Sequence, residues 1–194
     1  MHTSQRPYIP AAGVDAALPF YDPLTILAGA RARRGRLLDR AGLRAGQRVL
    51  DLGCGTGELS LAIKRAQPAL ELCALDPDPL ALARARAKAE RAGVRVELQQ
   101  GFGDALPYAA GTFARVLSSF VLHHLDLAAQ RRVLSEVLRV LAPGGSFHVL
   151  DFARSAQRQL ELDLREVGFS DTQCEPEPRW LFQRIVYACG TRAA

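Results

Sequence analysis

The sequence has few of the residues that mark secreted, disulfide-bonded or membrane-spanning proteins. Its 194 residues include four cysteines, at positions 54, 73, 174 and 189, without C-x-x-C spacing and without nearby histidines. We therefore expect neither a disulfide framework nor a metal site. No apolar run approaches the ~20 residues that span a bilayer, and the segment MHTSQRPYIPAAG lacks the apolar core of a signal peptide. The sequence thus predicts a cytoplasmic protein without a membrane span.

Lysine is almost absent, since Lys64 and Lys88 are the only lysines among 25 basic residues. The other basic residues are arginines, and the formal net charge is +5. An arginine cluster lies between residues 31 and 48: Arg31, Arg33, Arg34, Arg36, Arg40, Arg44 and Arg48. A cluster of this kind can attract phosphate or an acidic partner. Charge runs are more often solvated surface, so we interpret the cluster as an exposed helix face.

Strand-like and helix-like segments alternate along the chain from Arg48 onwards. Strands are predicted over 48–52, 70–75, 94–100, 113–120 and 146–152, and helices over 58–66, 78–92, 126–141 and 156–167. The short link EPEPRW joins two final strands near 171–175 and 181–189, which predicts a hairpin. The predicted fold is α/β: a Rossmann-like, doubly wound seven-stranded sheet, mostly parallel with a C-terminal antiparallel hairpin. We expect a single domain over 1–194, with an N-terminal helical lid region at 1–45 and a cofactor-binding core at 46–194.

The segment VLDLGCGTG, residues 49–57, places three glycines directly after the first predicted strand. Such glycines tolerate positive φ and let a ligand approach the backbone, and the helix that follows presents N–H groups to an anion. The spacing is G-x-G-x-G, whereas a dinucleotide fingerprint would need glycine at Glu58. Asp76 ends the second predicted strand, 19 residues after Gly57, where a carboxylate can accept hydrogen bonds from both hydroxyls of a ribose. The expected ligand carries a ribose and an anionic or zwitterionic group, which fits both NAD and S-adenosylmethionine.

Three further segments follow in order: ALDPDPLALARARAKA at 74–89, FARVLSSFVLHHL at 113–125 and EVLRVLAPGGSFHVLDF at 136–152. Together with the glycine segment, they make residues 47–151 resemble the class I S-adenosylmethionine-dependent methyltransferases. The resemblance is greatest to the small-molecule branch that includes the quinone-biosynthesis C-methyltransferases, in which a pair such as Tyr21-Asp22 also occurs. It implies S-adenosylmethionine as cofactor and transfer of a methyl group to a small-molecule acceptor by in-line displacement.

The resemblance also implies which residues bind the cofactor. Asp51 would face its amino group, directly or through water, and Asp76 would take the ribose hydroxyls. The residues expected along the rest of the cofactor are Gly53, Cys54, Gly55, Thr56 and Gly57 of the glycine segment, Pro77 beside Asp76, and Ser118 near the methionine part.

In this family, a residue in the loop after the third strand contacts the adenine of the cofactor, and this loop departs from the family pattern. The family usually has an Asp there, but Phe102 stands at that position and Gly103-Asp104-Ala105 follows it. Either Asp104 reaches the exocyclic amine of the adenine, or Phe102 packs on the ring and backbone groups read its edge. Of these two arrangements, we favour Asp104.

Candidate acceptor residues follow the fourth and fifth predicted strands. His123 could act as a general base, although the His-His pair recurs in family members with different acceptors, which favours a structural role. Tyr21 could close over the site, and Asp151 could bind the acceptor or cap the next helix. Only 16 residues separate Asp151 from Gly168, fewer than is usual in related enzymes. The site would then be open, or covered by residues 1–30 or by a second subunit in a homodimer.

Three other functions stay open on the sequence alone. The arginine cluster allows an RNA or protein methyltransferase, but the chain lacks the Asn/Asp-Pro-Pro-Tyr/Phe motif typical of enzymes that methylate base amines, so we do not expect a nucleic acid partner. The short segment after Asp151 allows a non-catalytic cofactor-binding protein. An NAD(P) oxidoreductase would need a different glycine spacing.

Overall fold

Seven strands, five α-helices and a 3₁₀ turn form the part of the chain that the computed structural model describes, residues 29–152, 157–180 and 183–194. Tyr21 and most of the predicted lid region lie outside the described residues. Within these ranges, no helix is long and apolar enough to cross a membrane. In chain order, the elements are α1 (Ala30–Ala41), β1 (Arg48–Leu52), α2 (Glu58–Ala66), β2 (Glu71–Asp76), α3 (Pro79–Arg91), β3 (Glu97–Gln100), β4 (Phe113–Ser119), the 3₁₀ turn (Leu122–His124), α4 (Leu127–Val140), β5 (Leu141–Phe152), α5 (Gln157–Val167), β6 (Ser170–Trp180) and β7 (Gln183–Thr191).

The seven strands belong to one sheet, in the order β3-β2-β1-β4-β5-β7-β6. β1 pairs in parallel with β2 and β4, β2 with β3, and β4 with β5. β7 is antiparallel to both β5 and β6. The predicted mixed sheet and its C-terminal hairpin are therefore confirmed.

Three strand lengths differ clearly from the sequence prediction, among them that of β5, which begins at Leu141 rather than at residue 146. β3 is shorter because its pairing with β2 begins only at Glu97, opposite Cys73. β6 is longer because the predicted link continues the ladder, with Pro176 opposite Val186. β6 tolerates this proline because it is an edge strand, the place in a sheet where prolines are accommodated.

Aspartate side chains fix the starts of two helices that begin at the carboxyl edge of the sheet. Asp78 accepts a hydrogen bond from the N–H of Leu80 at 2.8 Å, at the start of α3. Asp126 accepts one from the N–H of Ala129 at 2.7 Å, at the start of α4, as the sequence predicts. Both contacts satisfy backbone donors that a helix start leaves without an intrahelical partner.

Helices cover both faces of the sheet, and the side chains of β1 alternate between the two apolar clusters. Val49 packs in the same cluster as Leu37 of α1. Leu52 belongs to the cluster on the opposite face, with Val133 of α4. Because successive side chains of a strand point to opposite faces, Asp51 lies on the face of Val49, beneath α1 and α2.

Candidate functional site

A pocket of about 420 Å³ lies at the carboxyl ends of β1, β2 and β4. Strand order reverses between β1 and β4, and open α/β sheets bind ligands at such a switch point. The volume is in the range of sites for small molecules. The wall includes residues 53–56, 75–77, 102–103, 119–121 and 124–126, and Arg34 of α1.

The glycine loop, residues 53–57, is held by backbone hydrogen bonds to the end of β2. The N–H groups of Gly53 and Cys54 both donate to the carbonyl of Leu75, at 2.8 and 3.0 Å. Gly57 has a φ of 84°, and a Cβ there would lie 2.9 Å from the Cβ of Ala85 on α3. Glycine at position 57 is therefore required by the backbone conformation and by the close approach of α3.

Asp76 lines the pocket at the end of β2 and accepts two backbone hydrogen bonds. Its Oδ1 accepts from the N–H of Asp78 at 2.9 Å, and its Oδ2 from the N–H of Gly55 at 2.8 Å. Burial raises the pKa of Asp76, and these two N–H groups oppose the rise. Each carboxylate oxygen keeps further acceptor capacity, so the side chain can accept from the hydroxyls of a ligand.

Asp51 lies directly beneath the glycine loop and is 1% exposed. Its Oδ2 accepts a hydrogen bond from the hydroxyl of Ser60 on α2 at 2.5 Å. No donor among the described residues reaches its Oδ1. Burial raises the pKa of Asp51 to about 7, against the lowering effects of Ser60 and of the positive charge of Arg34. Asp51 can therefore gain a donor or a cation at Oδ1.

Arg34 is a residue of the pocket that the sequence patterns did not predict. It lines the pocket and is 7% exposed, so the interpretation of the arginine cluster as an exposed helix face is wrong at this position. Its Nε has no acceptor in the described part of the chain. The signal was helical spacing, because Arg34 precedes the buried residues Leu37, Leu38 and Ala41 by one and two turns.

At the opposite end of the pocket, the loop after β3 brings Phe102 and Gly103 to the wall. Asp104 instead forms an ion pair with Arg132 of α4, at 3.4 Å, and is not part of the wall. The N–H of Ala105 donates to the carbonyl of Phe102 at 3.2 Å, which closes the loop as a tight turn.

The end of β4 places its two serines differently. Ser118 is fully buried, and its hydroxyl donates to the carbonyl of Leu52 at 3.1 Å, so that it ties β4 to β1. Ser119 lines the pocket, and its hydroxyl finds no partner among the described residues. Of the two serines at this strand end, Ser119 is thus the one that lines the pocket.

Asp151, at the end of β5, organises the segment that follows β4. Its Oδ2 accepts from the N–H groups of Val121 and Leu122, at 3.0 and 2.7 Å. Its Oδ1 lies 2.6 Å from Nδ1 of His123. Asp151 is 2% exposed and fixes both the 3₁₀ turn and the ring of His123, while the neighbouring His124 lines the pocket.

An aromatic rim, formed by Phe120, His123, His124 and Phe152, lies beside this segment. The rings of Phe120 and Phe152 are 5.0 Å apart, and that of His123 meets Phe152 edge-on at 4.9 Å. The two histidine rings are 3.9 Å apart. His124 is exposed and the other three side chains are half-buried; of the four, Phe120 and His124 line the pocket.

Residues 49–145, half of the chain, match a family model described as a methyltransferase domain. The match includes the glycine loop, Asp76 and the turn at residues 102–103. The chain belongs to the class I S-adenosylmethionine-dependent methyltransferases, which confirms the family and the cofactor that the sequence predicts.

Within this class, the chain is similar to quinone-biosynthesis methyltransferases. It is 41% identical to a demethylmenaquinone methyltransferase from Thermus thermophilus, over 69% of this chain and 61% of the relative. It is 34% identical to a ubiquinone/menaquinone biosynthesis C-methyltransferase from Bordetella parapertussis, over 71% of this chain and 54% of the relative. The chain thus spans a little over half of the length of these relatives.

Solved structures share the fold at lower identity. The crystal structure of the cyclase SpnF superposes with a TM-score of 0.77, at 20% identity, over 85% of this chain and 81% of SpnF. At this identity the likeness shows the fold alone, and a fold of this kind hosts more than one reaction.

Proposed function

We propose that this protein transfers the methyl group of S-adenosylmethionine to a small molecule that carries a flat, oxygenated ring. The observation that carries the proposal is the pair of buried carboxylates at the glycine loop, Asp51 and Asp76, one with a free oxygen and one facing the pocket. Together they suit a ligand that has both a cationic amine and a ribose. The relatives named above support the choice of acceptor class.

The donor would be held by groups at both ends of the pocket. Asp76 would accept from the ribose hydroxyls, and its two bonds from backbone N–H groups fix the carboxylate for that purpose. Phe102 and Gly103 form the wall where the adenine would lie, so ring packing on Phe102 is now the better-supported arrangement. Asp104 would act on the adenine only after leaving its ion pair with Arg132.

Bound S-adenosylmethionine supplies a methyl group that is already activated on a sulfonium. The protein therefore has to align the acceptor with that group and exclude water, rather than activate the donor. The described wall combines apolar side chains, among them Leu52, Leu125 and Val133, with a few polar groups. Such a surface suits close contact with an apolar ring.

The aromatic rim favours a planar acceptor. Phe120 lies on the pocket wall, and the ring of its neighbour Phe152 packs against it at 5.0 Å. Flat rings gain by stacking or edge-to-face contact with such side chains, by about 0.5–1.5 kcal/mol beyond simple burial. The demethylmenaquinone named for the Thermus thermophilus relative carries a ring of this kind.

His123, whose ring lies 3.9 Å from that of the wall residue His124, would be the general base where the acceptor has an acidic hydroxyl. Its Nδ1 donates to Asp151 in the neutral tautomer, which leaves the lone pair on Nε2 available to take a proton. Asp151 is then a positioning residue, because its own hydrogen bonds hold the turn and the ring together. The pairing argues against Asp151 as a direct acceptor ligand.

The test is transfer of an isotopically labelled methyl group from the donor to a metabolite extract and to a panel of hydroquinones, with mass detection of the product. A labelled aromatic product supports the proposal, and labelled RNA or protein alone would contradict it. Binding of S-adenosylhomocysteine without transfer to any acceptor would favour a non-catalytic protein.

Substitutions distinguish residues that bind the acceptor from residues that bind the donor. Phe152→Leu should raise the KM for an aromatic acceptor and leave the affinity for S-adenosylhomocysteine unchanged. Leu162→Ala, at an exposed position of α5, is the matched control and should change neither. A Phe152→Leu variant with an unchanged KM would remove the rim from the acceptor site. For the base, His123→Gln should lower kcat and leave the affinity for S-adenosylhomocysteine unchanged, and an unaltered kcat would exclude His123.

Localisation and assembly are part of the same proposal. The four cysteines, all in the described part of the chain, are thiols rather than disulfides. Free thiols are usual for proteins of a reducing compartment, which supports a cytoplasmic location.

A homodimer would let a partner subunit cover the acceptor side of the site. Light scattering of the purified protein tests for this dimer.

A further inference from the structure

Three charged side chains of α4 connect that helix to the β3–β4 loop, residues 101–112. Arg132, Glu136 and Arg139 are spaced four and three residues apart, so they project from the same face of α4. Arg132 forms an ion pair with Asp104 of the loop, at 3.4 Å. The other two side chains bind main-chain groups of the same loop.

Glu136 and Arg139 act together on the main chain of this loop. The carboxylate of Glu136 accepts a hydrogen bond from the N–H of Leu106 at 2.8 Å. The guanidinium of Arg139 donates to the carbonyls of Leu106 and Tyr108, at 3.0 and 2.8 Å. The same guanidinium makes two hydrogen bonds to Glu136, at 2.7 and 2.8 Å. Hydrogen bonds to charged groups are stronger than neutral ones, and the paired geometry makes them directional, so these contacts hold the loop in place on α4.

The contribution of this pair comes from its contacts with the loop. The hydrogen bonds from Arg139 lower the pKa of Glu136, and the N–H of Leu106 acts in the same direction, against the rise that burial causes. The side chains of Glu136 and Arg139 are 22% and 37% exposed, and ion pairs near the surface contribute little by themselves. What the two residues add is therefore their three hydrogen bonds to the main chain of the loop.

The opposite side of the loop packs on the wall of the pocket. A Cβ at Gly103 would lie 3.2 Å from the side chain of Val133 on α4 and 3.3 Å from that of Leu52 on β1. All three residues line the pocket, and so does Phe102. The loop is thus held from both sides, which gives the ring of Phe102 a fixed place on the wall.

We propose that Glu136 and Arg139 are positioning residues for the adenine of the methyl donor, because they hold the loop that keeps Phe102 and Gly103 on the wall where the base would lie. The proposal rests on the proposed function, since it concerns the same donor site. Neither Glu136 nor Arg139 lines the pocket. Their loss should therefore weaken donor binding by displacing Phe102, and not by removing a contact with the ligand.

A double-mutant cycle, measured by calorimetry with S-adenosylhomocysteine, tests this indirect action. Phe102→Ala should weaken the ligand by about 5- to 100-fold, the range for the loss of a contact between a base and an aromatic ring. Glu136→Ala should weaken it by about 3- to 30-fold, as expected for residues that share a network of contacts. In the Phe102→Ala background, Glu136→Ala should cost less than about twofold, because the ring that the loop positions is already gone.

Two further variants complete the comparison. Glu161→Ala is the matched control, because Glu161 also forms an ion pair within a helix, with Arg165 of α5, and its side chain is 29% exposed. This control should leave the affinity for S-adenosylhomocysteine unchanged. Glu136→Gln keeps an oxygen that can accept from the N–H of Leu106, so it should recover part of the loss that Glu136→Ala causes.

The possible outcomes are distinct. Unchanged binding of S-adenosylhomocysteine to a folded Glu136→Ala variant would mean that the pair only stabilises the fold, and would overturn the proposal. A loss of the same size with and without the ring of Phe102 would also overturn it. If Glu136→Ala fails to fold, Arg139→Lys gives the same cycle, because lysine keeps the charge and lacks the forked guanidinium. Failure of the wild-type protein to bind S-adenosylhomocysteine would instead contradict the proposed function.

Discussion

Replacing Asp51 by asparagine should make the protein respond differently to pH. Burial raises the pKa of Asp51 to about 7, whereas the ordinary value for Asp is 3.8. The folded protein therefore holds this proton more tightly than the unfolded chain does. As the pH rises from about 4 to about 7, the unfolded chain releases its proton first, so this group lowers the free energy of unfolding across that window and no further above it.

The size of the effect follows from the two pKa values. Their difference corresponds to roughly 4 kcal/mol over the whole window, of which about 2 to 3 kcal/mol falls between pH ~5 and pH ~8. The substituted asparagine would keep an oxygen that can accept from Ser60, but its amide N–H groups would lack an acceptor, at a cost of about 1–3 kcal/mol. We expect the free energy of unfolding of Asp51→Asn to lie below that of the wild type near pH 5. Near pH 8 it should equal or exceed the wild-type value.

Urea unfolding of both proteins at several pH values measures this difference. His148 titrates in an overlapping range with the opposite sign, because burial lowers its pKa to about 4, but it is present in both proteins and cancels in the comparison. Asp39→Asn, at an exposed position of α1, is the control and should follow the wild type. A difference between wild type and Asp51→Asn that is constant from pH 5 to 8 would refute the reasoning.

Three further substitutions test residues that line the pocket or support the elements around it. Gly57→Ala should lower the free energy of unfolding by about 2–4 kcal/mol, because Ala disfavours a positive φ and would clash with Ala85; unchanged stability in urea would contradict this. Asp163→Asn should cost about 1–3 kcal/mol, since it weakens the contact of a fully buried carboxylate on α5 with Arg131 of α4, and should leave affinity for S-adenosylhomocysteine unchanged. Asp76→Asn should weaken both S-adenosylhomocysteine and 5′-methylthioadenosine by about 10-fold or more, as both carry the ribose, and calorimetry that shows no loss would exclude Asp76 as the ribose ligand.

The donor end of the pocket was predictable from the sequence because short-range patterns determine it. A buried strand followed by closely spaced glycines defines the loop, and Asp76 at the end of the next strand lies beside it in a parallel sheet. The structure adds a different reason for Gly57, which is packing against α3 rather than approach of a ligand. The motif singles out Gly57, but the physical reason for a glycine there depends on a helix whose position the motif does not contain.

Arg34 was not predictable in the same way, because its burial depends on where α1 packs. Helical spacing places it on the face of Leu37 and Leu38, yet an arginine in a basic cluster is ordinarily assigned to solvent. Its environment becomes exceptional only once α1 covers the face of the sheet that also carries Asp51. This is a tertiary relation between residues that the sequence separates.

Sequence patterns also cannot predict which of two neighbouring residues near the end of β4 reaches the pocket. Phe120 has a φ of 60°, which is unusual for a residue other than glycine, and its N–H donates to the carbonyl of Leu150 at 2.8 Å. This turn decides that Ser119 rather than Ser118, and His124 rather than His123, reach the wall. Tertiary hydrogen bonds stabilise this backbone turn at Phe120, so no local sequence pattern predicts it.

The opposed charges of Arg34 and Asp51 connect the stability of the chain to recognition of the donor. Each is buried without a full set of partners, which costs folding free energy that a ligand with both charges would restore on binding. Protonation of Asp51 removes the negative charge that would face the ammonium of the ligand. Ser60, Arg34 and Asp76 remain around the neutral side chain. Affinity for S-adenosylhomocysteine should therefore fall as the pH drops below about 7, and that for 5′-methylthioadenosine should not, because it has no ammonium to lose its partner. Calorimetry of both ligands between pH ~5.5 and pH ~8 measures this. Parallel pH curves for the two ligands would mean that the amino-acid end is recognised elsewhere.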